Sequence, residues 1–277
     1  MEEKTKTIQI TLTEEKETLF VCLRAKALDS RQKNSILHDT KADEILKSID
    51  YNFDKIEASA SFDGDMPTTW RAKHFDDWTQ EYIAANEHAV VVHLGCGLDS
   101  RITRVNPPAT VSWFDVDYPE VIELRKNFFS ESTQYKMIAS SVTDSGWLQK
   151  IPSNRPVIIV AEGLLIYLDP DDVEELFHRI IDYFPHGQIV FDAMSKSIIK
   201  LGQKEVKKQT GAVLKWGVND TKEIDRFSPK LKKISEMPLI KSIYIKQVPF
   251  GLFKIFCRVI AVFPFSRRAI RLNRYEF

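Results

Sequence analysis

The chain has 277 residues, of which 43% are hydrophobic and 28% are charged, an ordinary composition for a globular protein with a substantial core. Its 39 basic residues equal its 39 acidic residues, and this balance argues against bulk binding of nucleic acid. The cysteines at 22, 96 and 257 are far apart, which argues against a zinc site or a disulfide framework. We therefore expect a cytoplasmic protein without a metal.

Apolar periodicity predicts that the first third of the chain is helical. Residues 59–67 are small and acidic, so we expect a flexible loop there. A threonine at 68 or 69 can cap the helix that follows. The predicted helices are 12–28 (with Leu19, Phe20 and Leu23 on one face), 40–49 (with Ala42, Ile45, Leu46 and Ile49 inward) and Trp70–Ala85.

A buried strand followed by a glycine turn is the most informative stretch of the sequence. Residues 89–94 form an apolar, β-branched run, and Gly95-Cys96-Gly97 follows at once. This pattern is typical of a parallel strand that ends in a ligand-binding loop. The glycines allow a tight turn and a close approach of the backbone to a ligand. Asp99 then offers a carboxylate at the mouth of the turn.

The next predicted strand, residues 110–117, ends in two acids, Asp115 and Asp117. Asp117 lies 22 residues after Gly95. An acid about 20 residues beyond a glycine turn can hold the ribose hydroxyls of a nucleoside. The alternative is that both acids merely end the strand before the helix that Pro119 begins.

The glycine pattern favours a cationic ligand over a dinucleotide. A dinucleotide site needs a third glycine, but that position is Ser100. Asp99 would also repel a pyrophosphate. S-adenosylmethionine carries an adenosine, a sulfonium and an ammonium group but no phosphate, and it fits better. A nucleotide-dependent oxidoreductase is therefore a weaker alternative.

The remaining pattern predicts an alternation of strands and helices. Glu162 comes directly after a continuous apolar strand, where it would line the ligand crevice; capping of the next turn is the alternative. The predicted elements are a helical turn at 100–105, helices at 120–129 and from Asp169-Pro170 to Phe184, strands at 135–139, 156–161, 187–193, 232–239 and 271–277, a lysine-rich helix at 194–211, and an apolar helix at 250–263 that is too interrupted to span a membrane.

Three motifs carry a resemblance to a known family. They are Leu94-Gly95-Cys96-Gly97-Leu98-Asp99-Ser100-Arg101, Trp113-Phe114-Asp115-Val116-Asp117-Tyr118-Pro119-Glu120-Val121 and Ala161-Glu162-Gly163-Leu164-Leu165-Ile166-Tyr167-Leu168. Together they resemble the leucine carboxyl methyltransferase family, most closely its bacterial branch of polyketide O-methyltransferases. The resemblance implies an α/β, Rossmann-like class I methyltransferase fold. This is a mostly parallel seven-stranded sheet with helices on both faces. We expect one domain over 1–277, with a helical cap at 1–67 and a lid at 194–227.

The resemblance also implies the roles of individual residues toward S-adenosylmethionine. Arg71 would hold the carboxylate of the cofactor, and Glu162 would face its amino acid end. Gly95 and Gly97 would contact the methionine part. The remaining implied contacts are Asp117 to the ribose, with Asp115 as a second choice, and Ser141 with Val142 to the adenine, where the family often has Asp-Leu.

The sequence offers no clear general base. Methyl transfer from a sulfonium needs alignment of the reacting atoms more than acid–base chemistry, and a carboxylate acceptor is already ionised. Tyr167 and His74 are the weak catalytic candidates, and for His74 we favour a packing role. The predicted activity is O-methylation of a carboxylate or hydroxyl of a small molecule. The alternatives are methylation of a protein C-terminal carboxylate and a non-catalytic adenosyl-binding protein.

Overall fold

A seven-stranded sheet forms the centre of the computed structural model, which describes residues 8–9, 12–53, 62–246, 257, 259 and 261–277. Its strands run in the order β5-β4-β3-β6-β7-β9-β8. The strands are β3 (Val90–Leu94), β4 (Ser112–Asp117), β5 (Tyr135–Ala139), β6 (Val157–Ala161), β7 (Gly187–Met194), β8 (Lys232–Pro238) and β9 (Ile270–Glu276), and a separate parallel pair joins β1 (Ile8–Gln9) to β2 (Ile49–Asp50).

The sheet is mostly parallel, as predicted. The neighbours from β5 to β7 all pair in parallel. Only β9 runs against its neighbours, and it pairs antiparallel with both β7 and β8. The closing antiparallel strand expected at 271–277 is thus confirmed. Every residue of β3 and β6 is buried, which explains why both strands are continuous apolar runs.

Helices cover both faces of the sheet. Val91 of β3 packs into a core with Phe20 and Trp70, whereas the adjacent Val90 packs with Leu176 on the opposite face. The helices are α1 (Leu19–Ser30), α2 (Thr40–Ser48), α3 (Phe62–Ala85), α4 (Arg101–Val105), α5 (Pro119–Arg125), α6 (Pro170–Tyr183), α7 (Lys196–Thr210), α8 (Lys222–Asp225) and α9 (Pro264–Ala269).

The expected start of the first helix was wrong. Residues 14–18 form a 3-10 turn, and α1 begins only at Leu19. Glu14 has a φ of 57°, a left-handed conformation that a regular helix does not contain. Thr13, before this turn, makes no side-chain capping bond, and the hydroxyl of Thr18 donates to the carbonyl of Glu15.

The flexible loop expected before Trp70 was also wrong where the structure describes it. Helix α3 already begins at Phe62, so the threonines at 68 and 69 lie inside the helix and do not cap it. Pro67 lies in its second turn, where the missing N–H costs one intrahelical bond. The helix expected at 120–129 is shorter than predicted, because α5 covers only Pro119–Arg125. Asp169 immediately precedes α6, and its side chain pairs with Lys215 and makes no capping bond.

Most of the apolar helix expected at 250–263 lies outside the described residues. The described helices include none that is both long and apolar enough to cross a bilayer.

Gly187, at the start of β7, is required by packing. A Cβ atom there would lie 2.5 Å from Val157 Cγ1 and 2.6 Å from Val157 O. Gly187→Ala should therefore lower the free energy of unfolding by about 1–3 kcal/mol, the usual cost of overpacking. Urea denaturation measures this, with Gly146→Ala as the control, because a Cβ at 146 meets no atom within 4 Å. Equal stability of the two variants would contradict the prediction.

Candidate active site

A cavity of about 390 Å³ opens at the carboxyl ends of the parallel strands. In open α/β sheets, ligands bind in the crevice at this edge. One part of the lining is polar and comes from the loops after β3, β4 and β6, together with α1 and α3. The other part is apolar. The predicted site residues that line the cavity are Arg71, Gly95, Gly97, Asp99, Asp117, Glu162 and Tyr167.

The turn after β3 has a left-handed backbone conformation that glycine adopts more readily than other residues. Gly95 and Gly97 have φ values of 60° and 51°. A Cβ atom on Gly95 would lie 2.9 Å from Leu164 Cδ1, and one on Gly97 would lie 3.2 Å from Leu19 Cβ. The turn therefore brings bare backbone to the cavity surface.

Asp117 ends β4 beside this turn. Its Oδ2 accepts a hydrogen bond from the backbone N–H of Gly97 at 2.7 Å, and its Oδ1 accepts from that of Tyr118 at 2.7 Å. Burial raises the pKa of Asp117 to about 6, although both N–H donors act in the opposite direction. Each oxygen keeps a second lone pair, so the carboxylate can still accept from a ligand.

Asp115 is fully buried and does not line the cavity. The carboxylate accepts from Arg125 Nη2 at 2.5 Å, from the hydroxyl of Tyr135 at 2.6 Å and from Trp113 Nε1 at 2.8 Å. Burial alone would raise its pKa, but Arg125 and the nearby His93 lower it to about 2. Of the two acids that end β4, only Asp117 reaches the cavity.

Glu162, directly after β6, anchors a cluster of buried charges. Its carboxylate binds Arg101 Nη2 tightly, and it lies 3.3 Å from Arg71 Nε and 3.7 Å from Lys26 Nζ. Burial would raise the pKa of Glu162, but Lys26, Arg101 and Arg71 together lower it to about 2. Arg71 also pairs with Asp192 of β7 at 3.0 Å.

The cluster extends from the glycine turn to the N-terminal helices. Asp99 lies 2.6 Å from Arg104 Nη1 and 2.9 Å from Lys26 Nζ. Burial opposes ionisation of Asp99, yet these cations hold its pKa well below the usual range. Arg104 also contacts Asp39 at 2.6 Å and Asp76 at 2.7 Å, so one guanidinium joins the start of α2, the middle of α3 and the residues after the glycine turn.

His93 has a defined hydrogen-bonding role inside β3. Its Nε2 lies 3.0 Å from Arg101 Nη1, and an arginine can only donate. Nε2 must therefore accept, which places the proton on Nδ1, 3.5 Å from Asp115 Oδ1. Burial and Arg101 both lower the pKa of His93, so the imidazole is neutral. His93 therefore has a structural role within the buried strand β3.

The two residues predicted for the adenine, Ser141 and Val142, follow β5 but do not line the cavity. Val142 is buried in the core. Ser141 lies close to the side chain of Tyr118, which does line the cavity. The structure thus brings Ser141 next to the cavity wall rather than into it.

The two weak catalytic candidates lie in different places. His74 is outside the cavity lining, and its Nε2 lies 2.9 Å from Ser242 Oγ. Burial lowers the pKa of His74 to about 4. Tyr167 lines the cavity, but burial raises its pKa to about 12, so its hydroxyl stays protonated. Neither group is placed to accept a proton near neutral pH.

Sequence reasoning identified Arg71 but missed three other cations of the site. Lys26, Arg101 and Arg104 are buried with paired charges, and none was singled out from the sequence. Lys26 did leave a signal, because it follows Leu23 by three residues on the buried face of α1. A lone charge on an apolar helix face requires a partner.

A protein-family model matches the part of the chain that contains most of these site residues. Residues 19–181 match the model described as leucine carboxyl methyltransferase. The chain belongs to the leucine carboxyl methyltransferase family. The predicted family, cofactor and enzyme class are confirmed. The fold class is confirmed as well.

The chain is similar to individual members of the family over most of its length. It is 38% identical to the tetracenomycin polyketide synthesis O-methyltransferase TcmP of Streptomyces glaucescens, over 97% of this chain and 98% of the relative. It is 30% identical to the S-adenosyl-L-methionine-dependent methyltransferase dpfgK of Gibberella zeae, over 81% and 82% of the two chains. A Thermobifida fusca protein described as a methyltransferase has the same fold, with a TM-score of 0.57 at 14% identity over 91% of this chain and 93% of that one.

The buried ion pair between Arg125 and Asp115 should stabilise the fold beneath the site. Arg125→Met would leave the Asp115 carboxylate buried without its cation. Removal of one partner of a buried pair costs about 3–5 kcal/mol of unfolding free energy. Chemical denaturation measures the loss, and Lys126→Met is the control because Lys126 forms an exposed pair with Glu123. A loss below about 1 kcal/mol, the scale of a surface pair, would contradict this account.

Proposed function

We propose that this chain transfers a methyl group from S-adenosylmethionine to a carboxylate or hydroxyl oxygen of a small apolar molecule. It is an S-adenosylmethionine-dependent O-methyltransferase. The observation that carries the proposal is the division of one cavity into a charged part at the strand ends and an apolar part beneath α7. The first part suits a charged cofactor, and the second suits an uncharged carbon skeleton.

The donor groups around the glycine turn fit the nucleoside half of the cofactor. Asp117 has free acceptor capacity toward the cavity for the ribose hydroxyls. Gly95 and Gly97 present their backbone to the cavity without side chains, which allows a ligand to approach closely. We place the adenine near Tyr118 and Ser141, with Val142 behind them, since Tyr118 lies on the wall adjacent to Asp117.

The charge cluster fits the amino acid end of the cofactor. Four cations, Lys26, Arg71, Arg101 and Arg104, are linked to five anions, so the linked set has a net charge of 4 − 5 = −1. The anions are Asp39, Asp76, Asp99, Glu162 and Asp192. A ligand with one net positive charge would balance this set, whereas a pyrophosphate would be repelled.

Arg71 and Glu162 provide the specific contacts within that cluster. Arg71 Nε and Nη1 point to Glu162 and Asp192. Its Nη2 faces Cys22 Sγ at 3.9 Å, a weak acceptor that a ligand carboxylate would replace. Glu162 stays ionised at neutral pH and can accept from an ammonium. These roles match those implied by the family resemblance.

S-adenosylmethionine supplies an activated methyl group on a sulfonium when it is bound. The chain then needs chiefly to position the acceptor oxygen and exclude water, since neither His74 nor Tyr167 is placed to act as a general base. Segment 194–227, which contains α7, lines the apolar side of the cavity, and we propose it as the lid of a single domain, with residues 1–67 as the cap.

The apolar part of the cavity favours a small molecule over a protein C-terminus. Its lining includes Ile166, Met194, Ile198 and Val206, which offer few hydrogen bonds to a peptide backbone. The name of the 38% identical relative, a polyketide synthesis O-methyltransferase, agrees with this acceptor class. We also propose a cytoplasmic location, which the thiols of Cys22 and Cys96 favour.

The cofactor site is tested by calorimetry with S-adenosylhomocysteine, the demethylated cofactor. Asp117→Ala removes both ribose contacts, and affinity should fall at least about thirtyfold, or about 2 kcal/mol. Asp182→Ala is the matched control, because this carboxylate is 77% exposed and lies away from the cavity. Equal binding by all three proteins, or binding of NAD instead, would contradict the proposal.

The acceptor class is tested with methyl-labelled S-adenosylmethionine. We expect label in hydroxylated aromatic carboxylic acids and none in a peptide that ends in leucine. Label in the peptide alone would favour the protein carboxyl methyltransferase. Alkaline lability of the product then separates a methyl ester from a methyl ether.

Cofactor affinity should depend on pH through Asp117. Both oxygens of the ionised Asp117 carboxylate accept hydrogen bonds, whereas protonation turns one of them into a donor, and burial raises the pKa of this group to about 6. Affinity for S-adenosylhomocysteine should be constant above pH 7 and fall about tenfold by pH 5, as protonation removes the competent form. Calorimetry across this range measures it. A wild-type profile as flat as that of Asp117→Ala would refute the role of Asp117.

A further inference from the structure

We propose that Gly202 determines acceptor specificity by leaving an apolar bay in the wall of the cavity. This inference rests on the proposed function and names the acceptor class more narrowly. The bay is the gap on α7 between Ile198 and Val206, and it receives the edge of a flat apolar molecule larger than one aromatic ring.

Gly202 lies in the middle of α7, where glycine weakens a helix relative to alanine. Its backbone is not left-handed, in contrast to that of Gly211 at the end of the same helix. Among the described residues, a Cβ at 202 would meet only Leu214 Cδ1, at an ordinary 3.7 Å. Neither the backbone conformation nor packing therefore explains a glycine at this position.

The cavity does offer an explanation. Ile198, Gly202 and Val206 follow one another at intervals of four residues, so they form one stripe on α7, and all three line the cavity. The stripe has branched side chains at both ends and none in the middle. Leu214 faces this gap from the segment after α7, and it keeps the bay apolar.

The shape and chemistry of the bay select the acceptor. A slot between two branched side chains accepts the thin edge of a planar ring system better than a bulky tetrahedral group. Its apolar walls give no partner to a charged or strongly polar substituent, which would lose its hydration there. A single ring can occupy the cavity without entering the bay, whereas fused rings gain contact area by filling it.

Filling the bay with a side chain tests this role. Gly202→Leu should weaken binding of 1-hydroxyanthraquinone-2-carboxylate, a three-ring probe, by at least about tenfold. Binding of 3-hydroxybenzoate, which has the same two oxygen groups on one ring, should change less than about threefold. Both are measured by calorimetry with saturating S-adenosylhomocysteine. Lys204→Leu is the matched control, because Lys204 is exposed on the same helix and does not line the cavity.

The outcomes separate the two proposals. If the wild type does not bind S-adenosylhomocysteine, the proposed function itself fails. If it binds S-adenosylhomocysteine but prefers the three-ring probe by less than about tenfold, or if Gly202→Leu matches the wild type, the bay is refuted. A Gly202→Leu variant that fails to fold is replaced by Gly202→Ala, whose Cβ fits. This variant should melt at a higher temperature, and it should still lose about threefold in binding the three-ring probe.

Discussion

The structure depends on the ion pair between Glu162 and Arg101 and on the charges linked to it. Both side chains are removed from water, and burial of an isolated charge is prohibitive, so each must keep its partners. Arg101 follows the glycine turn, Glu162 follows β6, and Lys26 reaches both Glu162 and Asp99 from α1. The cluster thereby fixes the N-terminal helices against the strand ends. It also gives the site a net negative charge that a cationic ligand can balance.

The parallel sheet provides the rigid base for this arrangement. The fully buried strands β3 and β6 end side by side, in register from Val90 with Val157 to Leu94 with Ala161, and their loops therefore meet. The turn after β3 supplies bare backbone, β4 supplies Asp117, and β6 supplies Glu162. Apolar residues of α7 close the other side. Under the proposed function, the strand ends bind the cofactor and α7 contacts the acceptor, so α7 could vary without disturbing the sheet.

Much of this was predictable from local pattern. β5 was predicted to the residue at Tyr135–Ala139, and the glycine turn with Asp117 pointed to the cavity. The predictions that failed concern features that depend on tertiary contacts. The start of α3 at Phe62 escaped because small and acidic residues usually indicate a loop. The pairing of Lys26 with Asp99 spans 73 residues, and no periodicity reveals it. The sequence likewise could not show that Asp115 is buried in an ion pair with Arg125, whereas Asp117 lines the cavity.

A crystal structure with S-adenosylhomocysteine tests the central claim most directly. The account predicts ribose hydroxyls within hydrogen-bond distance of Asp117 and an amino acid end between Arg71 and Glu162. It also predicts that Asp115 stays bound to Arg125 as it is here. Ligand density at another edge of the sheet, or a ribose without contact to Asp117, would contradict the account. The same would hold for an amino acid end remote from Glu162.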